Sequence, residues 1–347
     1  MGVAPPSGNI CCPMTSAPPD RRPAIAYLFG DDNQKGVVRD PNKAVVGSGN
    51  TDLWRLRSRA GDFIRLHIPG NFDRARAKPR LDRIATVLNL VTDPDLNPKV
   101  LDAARRLLRG YRGRVINPPE AVLATSRDRV RRLLDGIDGL VVPPVARFRG
   151  KTALARVAIE REGISFPAIL RLPGSHNGEI IALLSGPEEL EPLLDPAKTY
   201  LLTSFVDPRG EEPLFHKIRL YWFGSAPLVR HMLASDEWNV HGPARERVMG
   251  DHPRWIAAER DLLLRGLDGL PAPARSAMLE IRARMPLDYF GIDFALLGDG
   301  RALLFEANAT MNFYPLSTDP RFDYASEAVE AIARPLFDRM LEPADGR

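Results

Sequence analysis

The stretch that most constrains this chain is Ile292 to Asn308. Two runs, Ile292 to Leu297 (IDFALL) and Arg301 to Asn308 (RALLFEAN), flank Gly298-Asp299-Gly300. Asp-Gly between alternating apolar runs is a strong hairpin signal. With Asp299-Gly300 as the two turn residues, Asp293 falls directly opposite Glu306, and Asn308, two residues further on, shares their face. Directly opposed residues have Cβ atoms about 4.5–5.5 Å apart, and like charges there destabilise the pair. A bound cation removes that penalty, and two carboxylates with one amide oxygen are hard ligands suited to Mg²⁺. The competing reading is a solvated sheet face. Against it stand Ala295, Leu297, Ala302 and Leu304, which this register places on the same face and which are apolar.

Composition narrows the function classes. The chain has 347 residues, 44% hydrophobic, enough for two or three domains with a sizeable core. Its 48 Lys+Arg against 44 Asp+Glu leave a net charge of only +4, so no nucleic-acid partner is expected. The two cysteines, Cys11 and Cys12, are adjacent and form no disulfide framework, which suggests a cytoplasmic, reducing location. No apolar run approaches the roughly 18 residues that span a bilayer, and no secretory signal is expected at the start.

Residues 1–22, rich in Pro, Ser and small residues, read as a disordered leader. From Ala24 to Ile116, strand candidates (Ala24 to Phe29, Phe63 to Ile68, Ile84 to Val91, Val115–Ile116) and a helix with apolar spacing from Asn97 to Arg109 suggest a small open α/β domain over 23–117. Asn117-Pro118-Pro119-Glu120 marks its end. The remainder, 118–345, reads as α+β. It includes a compact unit over about 143–203, with a helix from Lys151 to Glu162, strands Ala168 to Leu172 and Ile180 to Leu184, and the loop Pro173 to Gly178 between them.

A second strand pair is basic. Phe215 to Phe223 (FHKIRLYWF) alternates, with Lys217, Arg219 and Tyr221 on one face. A two-residue turn at Gly224-Ser225 places Arg219 opposite Arg230, a pairing that calls for a counter-ion; an edge strand kept soluble by basic residues is the alternative. Ala234 to Gly242 supplies Asp236, Trp238, Asn239 and His241, either as a binding loop or as packing. Asp93 and Asp95 follow a strand end, where ligands of open α/β sheets bind; they suit a substrate ammonium or an ordinary helix cap. No Ser/His/Asp arrangement or metal-spaced Cys/His cluster competes as a chemical centre.

The run Gly291-Ile-Asp293 to Glu306-Ala-Asn308 resembles the terminal metal motif of the ATP-grasp superfamily, most nearly its glutathione synthetase-like and glutamate-ligase-like members. The resemblance covers roughly residues 84 to 340 through the order and spacing of several motifs. It implies a fold holding ATP between two α+β subdomains, behind a small N-terminal α/β domain. It further implies a carboxylate–amine ligase that activates a carboxylate as an acyl phosphate, with Mg²⁺ (or Mn²⁺) on Asp293, Glu306 and Asn308. Phe166 to Arg171 is similar to the strand ending in a phosphate-binding lysine, here Arg171, and Ser126 to Arg129 is similar to the helix carrying another, here Arg129. Arginine forks onto phosphate where lysine is a point charge. Gly174, Ser175, His176, Asn177 and Gly178 resemble the mobile loop over the phosphates. Ser204, Phe205 and Val206 match the segment reading the adenine edge, and Lys217 joins the nucleotide contacts. Arg219, with Arg230, would stabilise charge at the reacting carboxylate. Carboxylate and amine substrates are the implied partners, without nucleic acid or membrane, and homodimerisation stays open. A small-molecule kinase on the same ATP site and a non-catalytic nucleotide- or peptide-binding module are the alternatives.

Overall fold

The computed structural model describes residues 24–33, 48–57, 63–69, 72, 78–175, 179–210 and 213–342. The proposed leader and three residues of the glycine loop, His176, Asn177 and Gly178, lie outside them.

Strands β1 (Ala24–Asp31), β2 (Phe63–Pro69) and β3 (Ile84–Asn89), helix α1 (Pro98–Leu107) and strand β4 (Arg114–Ile116) build the first unit. Its sheet runs β2-β1-β3-β4, and every pairing is parallel. Nearly all of β3 is buried, as a parallel strand covered on both faces requires. Helix α1 starts on Pro98, where the missing N–H costs nothing, and buries Val100, Leu101, Ala103 and Ala104.

Helices α2 (Pro119–Leu123) and α3 (Arg127–Leu133) and the short strand β5 (Leu140–Val141) follow. The middle unit is β6 (Val145–Arg149), α4 (Thr152–Glu162), β7 (Ala168–Arg171), β8 (Ala182–Leu184) and β9 (Thr199–Ser204). Its antiparallel sheet, β6-β9-β7-β8, packs one face on α4 around Ala146, Phe148, Ala155, Leu170, Tyr200 and Leu202. Period-2 alternation then sends Arg147, Arg171, Leu201 and Thr203 to the other face. Helix α4 stops at Gly163, whose φ of +65° is the left-handed end that glycine supplies.

The last unit contains β10 (Phe215–Phe223), β11 (Ala226–Ser235), α5 (Pro243–Arg247), α6 (Pro253–Arg265), α7 (Ala272–Arg284), β12 (Tyr289–Leu296), β13 (Ala302–Asn308) and α8 (Asp323–Leu341). Its sheet order is β11-β10-β12-β13-β5. One apolar cluster joins this sheet to the first, running from Leu28 and Val87 to Ile292 and Phe294, while the middle unit keeps a core of its own. Truncating a fully buried ring such as Phe294 to alanine would cost about 3–5 kcal/mol.

Both hairpins depart from the expected register through a bulge. The β12–β13 turn has three residues instead of two, because Leu297 N–H donates to Arg301 O (2.8 Å) and Gly300 sits at φ +81°. That offset is cancelled by a one-residue bulge at Phe305, since Phe294 pairs with Leu304 but Asp293 pairs with Glu306. The expected pairing is therefore present for a different reason. One consequence is a corrected face: Leu303, opposite Ala295, lies on the Asp293 side, whereas Ala302 and Leu304 turn with Phe294 into the core. In the β10–β11 hairpin the two-residue turn is as expected, with Phe223 opposite Ala226, but Arg230 is bulged out and Arg219 faces His231 instead.

Candidate functional site

The two bulges align one transverse row of polar residues across four strands: His231, Arg219, Asp293 and Glu306. Arg219 grips Asp293 with both forks, Nε to Oδ1 and Nη2 to Oδ2, each at 2.7 Å. Lys217 Nζ lies 3.5 Å from the same carboxylate. Burial alone would raise the Asp293 carboxyl, but Arg219 and Lys217 hold it down at about 2. For Arg219 burial works downward, and Asp293 overrides it and raises the guanidinium well above its ordinary value. Burial lowers Lys217, against the pull of Asp293. At the other end of the row, burial and the cations Arg230, Arg219, Arg245 and Lys217 lower His231, whose Nε2 is buried without a hydrogen-bond partner.

Glu306 opens onto a cleft of about 690 Å³, counting the solvent in its mouth. The cleft is bounded by α3, by the free face of the middle sheet and by β13, with Gly174 and Ser175 at its rim. Arg127, the first residue of α3, donates to Phe305 O (3.0 Å) and to Glu306 Oε1 (2.5 Å). Arg171 reaches the same region from β7. Its Nε is buried with no partner, and burial, reinforced by Arg127 and opposed by Glu306, pushes it down to about 9. A buried guanidinium beside a second one is a site short of an anion. Burial lowers His241, with the charges of Lys217 and Asp293 acting on it as well, and Trp238 sets its ring edge-on to Phe205 at 5.6 Å.

Several expected site residues are placed elsewhere. Arg129 lies on the exposed side of α3 and donates to Leu123 O, away from the cleft; Arg127 and Arg131 line it instead. Arg230 is buried and donates to Phe313 O and Pro315 O, both at 3.2 Å, which makes it a brace for the loop after β13. Asp93 accepts from the backbone N–H of Asp95 and Leu96, closing its own turn, and Asp95 pairs with Arg147 at 2.9 Å. Both acids line the cleft, each already engaged with the chain's own groups. In the segment expected at the adenine edge, the backbone N–H groups of Ser204 and Phe205 donate to Pro144 O and Pro167 O. Gly174, at φ +71°, comes so close to the first unit that an added Cβ would sit 2.6 Å from Leu96. Asn308 Oδ1 accepts from the N–H of Thr310 and Met311, which fixes its amide beside Glu306.

No protein-family model and no curated protein matches this chain. Solved structures do. The D-Ala:D-Ser ligase VanG from Enterococcus faecalis superposes with a TM-score of 0.51 at 11% identity, covering 92% of this chain and 98% of that one. A RimK domain ATP-grasp protein from Sphaerobacter thermophilus gives a TM-score of 0.47 at 14% identity, over 92% of this chain and 99% of that one. The ATP-grasp ligase PsnB, complexed with a precursor peptide and AMPPNP, gives 0.46 at 12% identity, over 94% of this chain and 100% of that one. The chain has the ATP-grasp fold.

The sequence resemblance implies that the middle unit is a lid, and the cleft lies between it and the sheet carrying Glu306. Two residues at this cleft escaped the sequence reading. Arg127 gave no signal beyond being one arginine among several on α3. Arg147 joins lid strand β6 to Asp128 on α3 (2.7 Å) and to Asp95 of the first unit (2.9 Å), a contact between residues distant in sequence.

Proposed function

We propose that this ATP-grasp protein is an ATP-dependent ligase that activates a carboxylate as an acyl phosphate for attack by an amine. The observation that carries the proposal is the charge around Glu306 and Asp293: among the described residues, Arg127, Arg171, Lys217 and Arg219 gather about these two carboxylates, with the buried Nε of Arg171 unpartnered. A nucleotide triphosphate supplies the missing negative charge. Arg127 and Arg171 would grip its phosphates, and Gly174 and Ser175 would cover them. Arg219 sits one strand beyond Glu306's partner, where its charge suits the oxyanion that develops when the amine attacks the acyl phosphate. Loss of phosphate from that adduct leaves the amide, and the amine proton passes to solvent.

The donor set of Asp293, Glu306 and Asn308 fits Mg²⁺ in type, being oxygen throughout. Among the described residues no three His, Cys, Asp or Glu side chains assemble into a metal group, so phosphate oxygens and water would complete the shell. The ion, when bound, would neutralise charge on the phosphates.

The test is ADP release with Mg²⁺ against pooled amino acids and short peptides, followed by mass spectrometry. The expected product contains a new amide. A phosphorylated acceptor without an amide would make the protein a kinase, and nucleotide binding without ADP release across the panel would make it a binding module. Arg219→Ala should lower the chemical rate by about 10²–10³, the scale for losing one oxyanion donor.

A further inference from the structure

The carboxylates offered to the metal are already neutralised by the cations offered to the phosphates. Asp293 carries Arg219 and Lys217, and Glu306 carries Arg127. The four cations and two carboxylates leave two positive charges. Among the described residues the neighbouring charges cancel, Arg147 and Arg132 against Asp95 and Asp128 and Arg131 against Asp135, and Asp93, which also lines the cleft, offsets one of the two. A triphosphate carries roughly four negative charges, of which a divalent cation cancels two. The metal–nucleotide complex therefore comes nearest to balancing the cleft, whereas free metal would add to its positive excess and free triphosphate would overshoot it further.

Resting on the ligase reading above, we infer that Arg127 and Arg219 shield the carboxylates Glu306 and Asp293 in the nucleotide-free chain and pass from them to the phosphates as the nucleotide enters with its metal as one unit. The transfer is an exchange of partners. The carboxylates release guanidinium groups and become available to the metal, and the freed guanidinium groups meet phosphate oxygens, for which their fork geometry is suited. No charge is left unpaired in the buried row at either end of the exchange, which is what makes it feasible at a site where Asp293 is 4% exposed. Free metal has no such route, because displacing Arg219 from Asp293 would strand the guanidinium beside Lys217 with no anion to receive it.

The experiment is calorimetric titration of the full chain with Mg²⁺ alone, with AMPPNP in EDTA, and with AMPPNP plus Mg²⁺. Loss of the free Mn²⁺ paramagnetic signal serves as an independent check on metal binding. Mg²⁺ or Mn²⁺ alone should show no binding at millimolar concentration, and Mg²⁺ should strengthen AMPPNP binding by about tenfold or more. In Glu306→Gln, metal-free AMPPNP should bind about tenfold more tightly than to the parent chain, since one repelling carboxylate is gone and Arg127 is released, and Mg²⁺ should no longer help. Asp293→Asn should behave alike; Glu306 is the primary variant because its side chain is 24% exposed and its loss disturbs the buried row less. Micromolar metal binding to the nucleotide-free chain, or weaker metal-free AMPPNP binding in a folded Glu306→Gln chain, would overturn the exchange while leaving the ligase reading intact. Absence of AMPPNP binding under every condition would overturn both.

Discussion

Arg171 offers the sharpest separation of function from stability. Its guanidinium is buried, its Nε has no partner, and its nearest charged neighbours are Arg127 and Glu306. Burial first, and then Arg127, bring it from its ordinary value down to about 9. At 1.36 kcal/mol per pH unit, that drop corresponds to roughly 5 kcal/mol spent keeping it charged in the folded chain. The folded value lies below the unfolded one, so the cost is fully present at neutral pH and fades only as pH rises through about 9 toward the unfolded value. Relaxation and entering water reduce it in practice. Arg171→Met, which keeps the length of the side chain without the charge, should therefore stabilise the nucleotide-free chain by about 1–3 kcal/mol. The same substitution should erase most of the stabilisation by Mg·AMPPNP, which for the parent chain amounts to about 2.7 kcal/mol at a hundredfold excess over Kd. Thermal melting with and without nucleotide measures both quantities on one sample. A less stable Arg171→Met chain that keeps its full nucleotide response would refute the assignment of Arg171 as a cation held in wait for phosphate.

Two further outcomes follow from other contacts. Arg127→Ala should weaken Mg·AMPPNP by about tenfold or more, whereas Arg129→Ala, on the exposed side of α3, should leave affinity within about twofold by calorimetry; equal losses would return Arg129 to the cleft. His216 accepts from Leu296 N–H (2.9 Å), and burial pushes it down to about 4. The unfolded chain therefore takes up a proton that the folded chain refuses, and this contribution, complete above pH 6.5, is lost as pH falls toward 4. Between pH 7 and 4.5 the parent chain should lose roughly 2–3 kcal/mol more than His216→Gln in urea unfolding; parallel curves would exclude His216 as the source.

What could be read from sequence was whatever depends on near neighbours. Period-2 alternation and Asp-Gly chemistry located β12 and β13, and apolar spacing located α1 and α4, because these signals are carried within one element. The bulges at Phe305 and Arg230 were not legible. A bulge adds one residue without changing the alternation on either side of it, and its position follows from packing between sheet and helices. In one hairpin the missed bulge cancelled a missed turn residue, so Asp293 met Glu306 as expected. In the other nothing cancelled it, and His231 took the place opposite Arg219 that alternation assigns to Arg230.

The ownership of the phosphate grip on α3 shows where such reasoning stops. Arginine stands at 127, 129, 131 and 132, so guanidinium groups leave the helix over more than half of its circumference and helical periodicity alone selects none. The selection is made by the residues between them. Val130, on the helix, and Leu134, just past its end, are buried in the cluster shared by the first and last sheets, and Asp128 is tied to Arg147 of the lid. With those fixed, residues four apart, Arg127 and Arg131, flank one cleft-facing line, and Arg129 is rotated about 200° from Arg127 onto the solvent side. The same constraint explains why lysine-to-arginine replacement need not abolish nucleotide binding. A guanidinium arriving from the first turn of α3 reaches the region of Glu306 as well as one arriving from β7, and in the proposed function the two together would hold the phosphates there.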